Sequence, residues 1–339
     1  MKNKKWIALA AAVILAVTAL PVTAFAKKNN SSDDKMLTKI TLNEVAHSIF
    51  YAPQYVAIEE GYFKDEGLDM TLITGFGADK TMTAVISGEA DIGFMGAEAS
   101  IYAYQEGATD PVVNFAQLTQ RAGNFLVARE EMPDFKWEDL KGRKVLGGRK
   151  AGMPEMVFEY ILKKNGLDPQ KDLSINQSID FGSTAAAFTG DDSADFTVEF
   201  EPSATALEKQ GAGYVVASLG VDSGYVPYTS YSAKTSYMEK NPDIMQKFTN
   251  ALQKGMDYVQ SHNPEEIAEV IEPQFPETDL DTVTTIVKRY YDQDTWKENL
   301  VFGQKGFELL QDILEDAGEL KERTPYAELV NTEFAQNAS

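Results

Sequence analysis

The feature that most constrains this chain is a run of short segments whose hydrophobic period alternates between two and about 3.6, punctuated by glycine. Residues 39–43 alternate apolar and polar side chains, as a half-buried strand does. Residues 52–61 then set Tyr55, Val56 and Ile58 at helical spacing and stop on Gly61, and residues 68–73 alternate again around Met70 and Leu72. Asp79 is placed to cap a helix whose apolar stripe is Met82, Val85 and Ile86 and whose stop is Gly88, and a strand over 90–94 follows at once. A parallel neighbour can be reached only by a crossover, so strand, helix, strand in this order builds a mostly parallel sheet covered by helices.

The device recurs further on. A short strand at Val145-Leu146 runs into a glycine-rich loop; Phe181-Gly182-Ser183 opens a short helical stretch, Thr189-Gly190 closes it, and residues 194–198 read as a strand. From Asn241 onward the text is helical. Asn241-Pro242 and Asn263-Pro264 each set a capping side chain before a proline at the first helical position. The segments 278–291 and 302–317 follow, the latter with Phe307, Leu310, Ile313 and Leu314 as a core stripe and Gly318 as its stop. These are packing helices and carry no chemistry.

The first residues read as an export leader: Lys2, Lys4 and Lys5, an apolar stretch to about Leu20, then the small-x-small triplet Ala24-Phe25-Ala26. The apolar run is shorter than the roughly 20 residues a spanning helix needs. Cleavage near Ala26 is therefore expected, with an uncleaved anchor as the alternative, and residues 27–36 read as a polar disordered spacer. The chain has no cysteine, which removes disulfides, thiolate catalysis, Cys-ligated zinc and a lipid anchor. With 52 acidic against 31 basic residues it repels phosphate backbones, so nucleic acid is excluded as a partner. His47 and His262 are in no metal-ligand spacing. Asp191-x-Ser193-x-Asp195 faintly suggests a calcium loop, but Phe196 stands where that loop needs glycine, and a solvated turn is the better reading. A mature chain a little over 300 residues long matches two lobes.

Several segments together resemble a known family. Tyr51-Ala52-Pro53-Gln54-Tyr55-Val56-Ala57 followed by Glu60-Gly61-Tyr62-Phe63-Lys64-Asp65-Glu66-Gly67-Leu68 looks like its opening loop and helix. Ser87-Gly88-Glu89-Ala90-Asp91-Ile92-Gly93, Trp137-Glu138-Asp139-Leu140-Lys141-Gly142-Arg143-Lys144-Val145 and Phe200-Glu201-Pro202 resemble its later landmarks in order and spacing. The family is that of type II periplasmic binding proteins serving importers for alkanesulfonates, taurine, nitrate and thiamine-pyrimidine precursors. The resemblance implies an α/β fold of two lobes, each a mostly parallel sheet flanked by helices: residues 37–128 plus 232–339 in the first, 129–231 inserted as the second. It implies hinge crossings near 126–130 and 225–233, a ligand in the interlobe cleft, closure on binding and a membrane permease as partner. A monomer without a cofactor is expected.

Several loops at strand ends supply candidates for ligand contact. Asn43, Glu44 and Tyr51 lie between the first strand and the first helix, where His47 is expected to brace the loop by a hydrogen bond. Phe76 and Gly77 belong to a loop whose backbone N–H groups could hold an anionic end or serve only a tight turn. Glu98 is either a contact or a first-turn helix charge, and Gln117 flanks the first crossing. Arg149, Met153 and Glu155 sit in or just after the richest glycine loop, where Arg149 suits an anion and Glu155 an amine. Glu201, Tyr225 and Tyr228 complete the set.

Loop aromatics beside acids suit a flat amino-heterocycle, with a thiamine-pyrimidine precursor first and an alkanesulfonate or taurine-type anion second. The rival class is an enzyme, because relatives in this fold include a pyrimidine synthase that needs a cysteine-rich iron motif, which this chain lacks. The leader yields the first test. N-terminal sequencing of protein released from cells should begin at Lys27, and a retained leader on released material would refute cleavage.

Overall fold

A computed structural model describes residues 37–180 and 182–339. The expected leader, the spacer as far as Met36, and Phe181 lie outside the described residues. In chain order the strands are β1 (Thr38–Glu44), β2 (Leu68–Thr74), β3 (Ile92–Gly96), β4 (Val112–Gln117), β5 (Phe125–Ala128), β6 (Lys144–Leu146), β7 (Ser174–Asn176), β8 (Phe196–Glu199), β9 (Tyr214–Ser218) and β10 (Thr229–Lys234). They form two five-stranded sheets, ordered β2-β1-β3-β10-β4 and β7-β6-β8-β5-β9.

The two sheets follow one plan. β1 runs parallel to β2 and β3, and β6 runs parallel to β7 and β8, each reached through a helical crossover. In each, the fourth strand is antiparallel to both neighbours: β10 in the first sheet and β5 in the second. Both of these strands arrive from the other sheet, so no crossover fixes their direction.

The first passage between sheets lies before the expected 126–130, and the second overlaps the expected 225–233. Residues 125–128 pair with β8 and β9, and Thr229 opens β10, so the chain changes sheets within 118–124 and again within 219–228. Short apolar strands look alike whichever sheet they join, and only the pairing separates them.

Helix ends show where local sequence decides and where it does not. Gly88 stops the Ala78–Ser87 helix at a left-handed φ of 81°, as the glycine signal predicts. Its N-cap, however, is Gly77 and not Asp79, which falls in the first turn. Asn263 and Glu266 form a reciprocal capping box at the Pro264–Ile271 helix, with bonds of 2.9 and 3.0 Å. Asn241 makes no such cap, because its amide donates back to the Tyr237 carbonyl at 3.0 Å. The stripe Phe307, Leu310, Ile313 and Leu314 is fully buried on the Gln304–Asp316 helix. The acidic turn closes on itself: Asp191 accepts from the Ser193 amide and hydroxyl, each at 2.9 Å.

The Pro242–Ser261 helix packs on the Ala52–Glu59 helix at Gly255. A Cβ there would stand 2.2 Å from the Pro53 carbonyl oxygen and 3.1 Å from the Ala57 Cβ. Gly255→Ala would gain about 1 kcal/mol of helix propensity in an exposed helix, but here backbone must move, and overpacking of this kind costs about 1–3 kcal/mol. Net destabilisation of up to about 2 kcal/mol is expected, read as a lower urea midpoint at unchanged slope.

Candidate functional site

In a parallel sheet every strand directs its carboxyl end to the same edge, and the loops that follow gather there. The loops after β1, β2 and β3 and those after β6, β7 and β8 face one another across a cleft of about 330 Å³. Asn124 and Tyr228, from the two passages, line it as well.

The structure brings eight of the sequence candidates into this cleft: Tyr51, Phe76, Gly77, Glu98, Arg149, Met153, Glu201 and Tyr228. Five others do not line it, and each has a partner elsewhere. Asn43 is buried and accepts from the Thr81 hydroxyl at 2.8 Å. Glu44 is fully buried and receives Gln54 at 2.8 Å, Tyr55 at 2.9 Å and His47 at 2.8 Å. Gln117 donates to the Thr119 carbonyl at 2.9 Å. Glu155 shares Gln177 with Glu159; burial, reinforced by the Glu159 carboxyl, pushes its pKa well above the usual carboxylate range. Tyr225 is exposed, its ring under the Arg121 guanidinium at 4.2 Å and its hydroxyl on Asp294 at 2.5 Å. Spacing placed these residues near the right strand ends but could not tell which way each side chain turns.

His47 lines the cleft as a brace, bonded to Glu44 and, at 2.8 Å, to the Gln274 carbonyl. Burial alone would lower its pKa, but the Glu44 bond and charge and the Gln274 carbonyl outweigh that and raise it.

Within the cleft, the donors that sequence offered to an anion are engaged. Arg149 pairs with Asp79 at 3.0 Å. The Gly75 and Gly77 amides donate to the Glu44 and Val45 carbonyls, and those of Gly147, Lys150 and Gly152 to Asn176, Gln177 and Arg149. Glu201 is engaged too: its carboxylate receives Arg289 at 2.7 Å and both the amide and the hydroxyl of Thr205 at 2.9 Å. It is therefore a charge neutralised inside the protein.

Two carboxyls differ. Glu98, just beyond β3, is buried, and its Oε2 has no hydrogen-bond partner. Burial lifts its pKa to about 7, against the backbone N–H groups of Glu98 and Met153 and the nearby Arg149 charge. Glu199, the last residue of β8, is also buried and also lifted to about 7 by burial, with Thr197 and Thr184 as hydroxyl partners that oppose the rise. Sequence reading passed over Glu199, Thr184 and Asn124. An acid as the last residue of an otherwise apolar strand, Val198-Glu199, was the available signal for the first.

Rings supply the remaining surface. Tyr51 packs edge-on to Phe94 at 4.5 Å, and Phe50 meets Phe200 and Tyr228 at 5.7 Å each. The Tyr228 hydroxyl is fixed by Asn124 at 2.5 Å. Phe76 stands 68% exposed in a left-handed backbone conformation, φ 57°, that a side chain of its size seldom adopts. Contacts that cross the cleft include Arg149 to Asp79, the Ser48 hydroxyl to the Glu201 carbonyl at 2.9 Å, and the Tyr102 hydroxyl to the Ala151 carbonyl at 3.2 Å.

The Glu98 environment predicts a pH dependence with a definite sign. A carboxyl whose pKa rises from 4.5 to about 7 on folding binds more protons in the native state, so stability is full below 4.5 and is lost as pH rises towards 7. The loss is on the order of 3 kcal/mol for one such group. Glu98→Gln, which stays neutral, should raise the thermal midpoint at pH 8 relative to the parent and leave it nearly unchanged at pH 4.5. Equal midpoints at pH 8 would rule out a buried ionisable Glu98.

Comparisons with known proteins agree with this architecture. YtlA of Bacillus subtilis (strain 168), named as a candidate binding protein, is 44% identical over 335 residues, 99% of this chain and 98% of its own. A 4-amino-5-hydroxymethyl-2-methylpyrimidine phosphate synthase of Saccharomyces cerevisiae (strain ATCC 204508 / S288c), THI11, is 24% identical over 225 residues, 62% of this chain and 63% of its own. Among solved structures, the ligand-binding component of an ABC-type import system from Staphylococcus aureus, with zinc bound, aligns over 89% of this chain and 99% of its own with a TM-score of 0.72 at 14% identity. The alkanesulfonate-binding protein SsuA from Xanthomonas axonopodis pv. citri, bound to MOPS, aligns over 87% of this chain and 98% of its own with a TM-score of 0.69 at 14% identity. The fold is that of the periplasmic binding proteins. The NMT1/THI5-like family model matches residues 49–267, and the chain belongs to that family.

Proposed function

We propose that this protein is the extracytoplasmic solute-binding component of an ABC importer, and that it takes a flat nitrogen heterocycle of the thiamine-pyrimidine type between its two halves. The observation that carries the reading is Glu98: a buried carboxyl whose Oε2 has no hydrogen-bond partner, in a residue that lines the same cleft as Tyr51, Phe200 and Tyr228. Leaving such a group unpaired costs about 1–3 kcal/mol, and a ring nitrogen or exocyclic amine would supply the missing partner. The flanking rings present faces on which a flat solute stacks.

The alternative ligand class is an alkanesulfonate, for which the likeness to SsuA speaks. Against it, a sulfonate needs converging donors, whereas one Arg149 nitrogen is paired with Asp79, the Gly75, Gly77, Gly147, Lys150 and Gly152 amides donate to carbonyls, and the buried groups lining the cleft include Glu98 and Glu199. An enzymatic role like that of the yeast synthases would draw on cysteines, and the sequence contains none. The binding role also accords with the name of YtlA, which is similar over nearly its whole length.

A thermal-shift screen of purified protein against pyrimidines, flavins, alkanesulfonates, taurine and nitrate tests the reading. An aminopyrimidine should raise the midpoint most, by about 2–4 °C per kcal/mol of linkage for a chain of this size. A response to taurine or an alkanesulfonate with none to pyrimidines would overturn the ligand class in favour of the anion.

A further inference from the structure

Glu98 and Glu199 stand at the ends of β3 and β8, one from each sheet, and both line the same cleft. Among the described residues, neither makes a salt bridge with a cation. Arg149, the nearest positive charge acting on Glu98, is held by Asp79. Around Glu98 stand Tyr51, Tyr102 and Tyr228, phenols whose pKa values are raised by burial and, further, by the Glu98 charge. The partners of Glu199 are the hydroxyls of Thr197 and Thr184. The cleft lining thus includes two buried carboxyls without a counter-charge, a state in which burial favours the neutral form, and the Oε2 of Glu98 has no hydrogen-bond partner among the described residues.

From this arrangement, and resting on the heterocycle reading above, we propose that the solute is bound as a cation, its basic ring nitrogen taking the proton of Glu98, with Glu199 of the second sheet accepting from its exocyclic amine. The step balances within the complex. The O–H bond of the Glu98 carboxyl breaks, an N–H bond forms on the ring with the nitrogen lone pair, and a carboxylate facing a ring cation replaces two neutral groups. The pair is favoured because the new charges neutralise each other where water is excluded, and a charge-assisted bond is about twice as strong as a neutral one. A neutral isostere of Glu98 keeps its shape and loses the proton, so the inference isolates charge from packing.

The test uses 15N-labelled 4-amino-5-hydroxymethyl-2-methylpyrimidine with the whole mature protein, at a pH one unit above the pKa measured for the free base. The bound ring nitrogen is expected at the chemical shift of the protonated ring, although the free compound is neutral under the same conditions. Glu98→Gln should return the bound signal to the neutral position and weaken binding roughly 10- to 100-fold. Glu199→Gln should weaken binding while leaving the ring protonated, which shows that an altered cleft still folds and still protonates its ligand. A ring that stays neutral when bound to the parent, or a Glu98→Gln protein that binds as tightly as the parent, overturns the inference and leaves the heterocycle reading standing. Absence of pyrimidine binding together with binding of taurine overturns both.

Discussion

Parallel pairing of β1 with β2 and β3, and of β6 with β7 and β8, is the constraint on which the rest of the molecule depends. It forces each of those connections through a helix and leaves the carboxyl ends of the parallel strands at one edge, so the loops that carry polar chemistry must collect there. Two such edges facing each other make the cleft. The antiparallel strands β5 and β10 complete each sheet with chain that has just come from the other, which ties the two halves together at Asn124 and Tyr228, beside the cleft.

Desolvation then sorts the acidic residues that reach this region. Glu44 is surrounded by His47, Gln54 and Tyr55, and Glu201 by Arg289 and Thr205, so each is hydrogen-bonded within a network. Among the described residues, Glu98 has only the backbone N–H groups of Glu98 and Met153, and Glu199 only the Thr197 and Thr184 hydroxyls; burial outweighs these and raises both pKa values to about 7. The two outcomes follow from the count of donors within reach, since the residue type is the same in all four. In the glycine loops, the amides of Gly75, Gly77, Gly147, Lys150 and Gly152 close onto neighbouring carbonyls and so hold the loop conformations.

The sequence by itself determined the class of fold and the order of its elements. Alternation over 39–43 and 68–73, the glycine at 88 and the stripe Phe307, Leu310, Ile313 and Leu314 are local signals that tertiary packing had no reason to override, and the strands and helices stand where those signals put them. Strand ends were also legible, which is why Tyr51, Glu98, Arg149, Met153 and Glu201 reach the cleft. Tertiary structure decided the rest. Sheet membership of residues 125–128 depends on pairing with strands far along the chain, and nothing in four apolar residues records it. Whether an acid at a strand end is a contact or an internal brace depends on which distant donor meets it: Arg289 takes Glu201 across 88 positions, while no donor comes to the Oε2 of Glu98. Local pattern fixes the backbone, because hydrogen-bond periodicity is local; the charge state of a buried group is fixed by its three-dimensional neighbours, which periodicity does not encode.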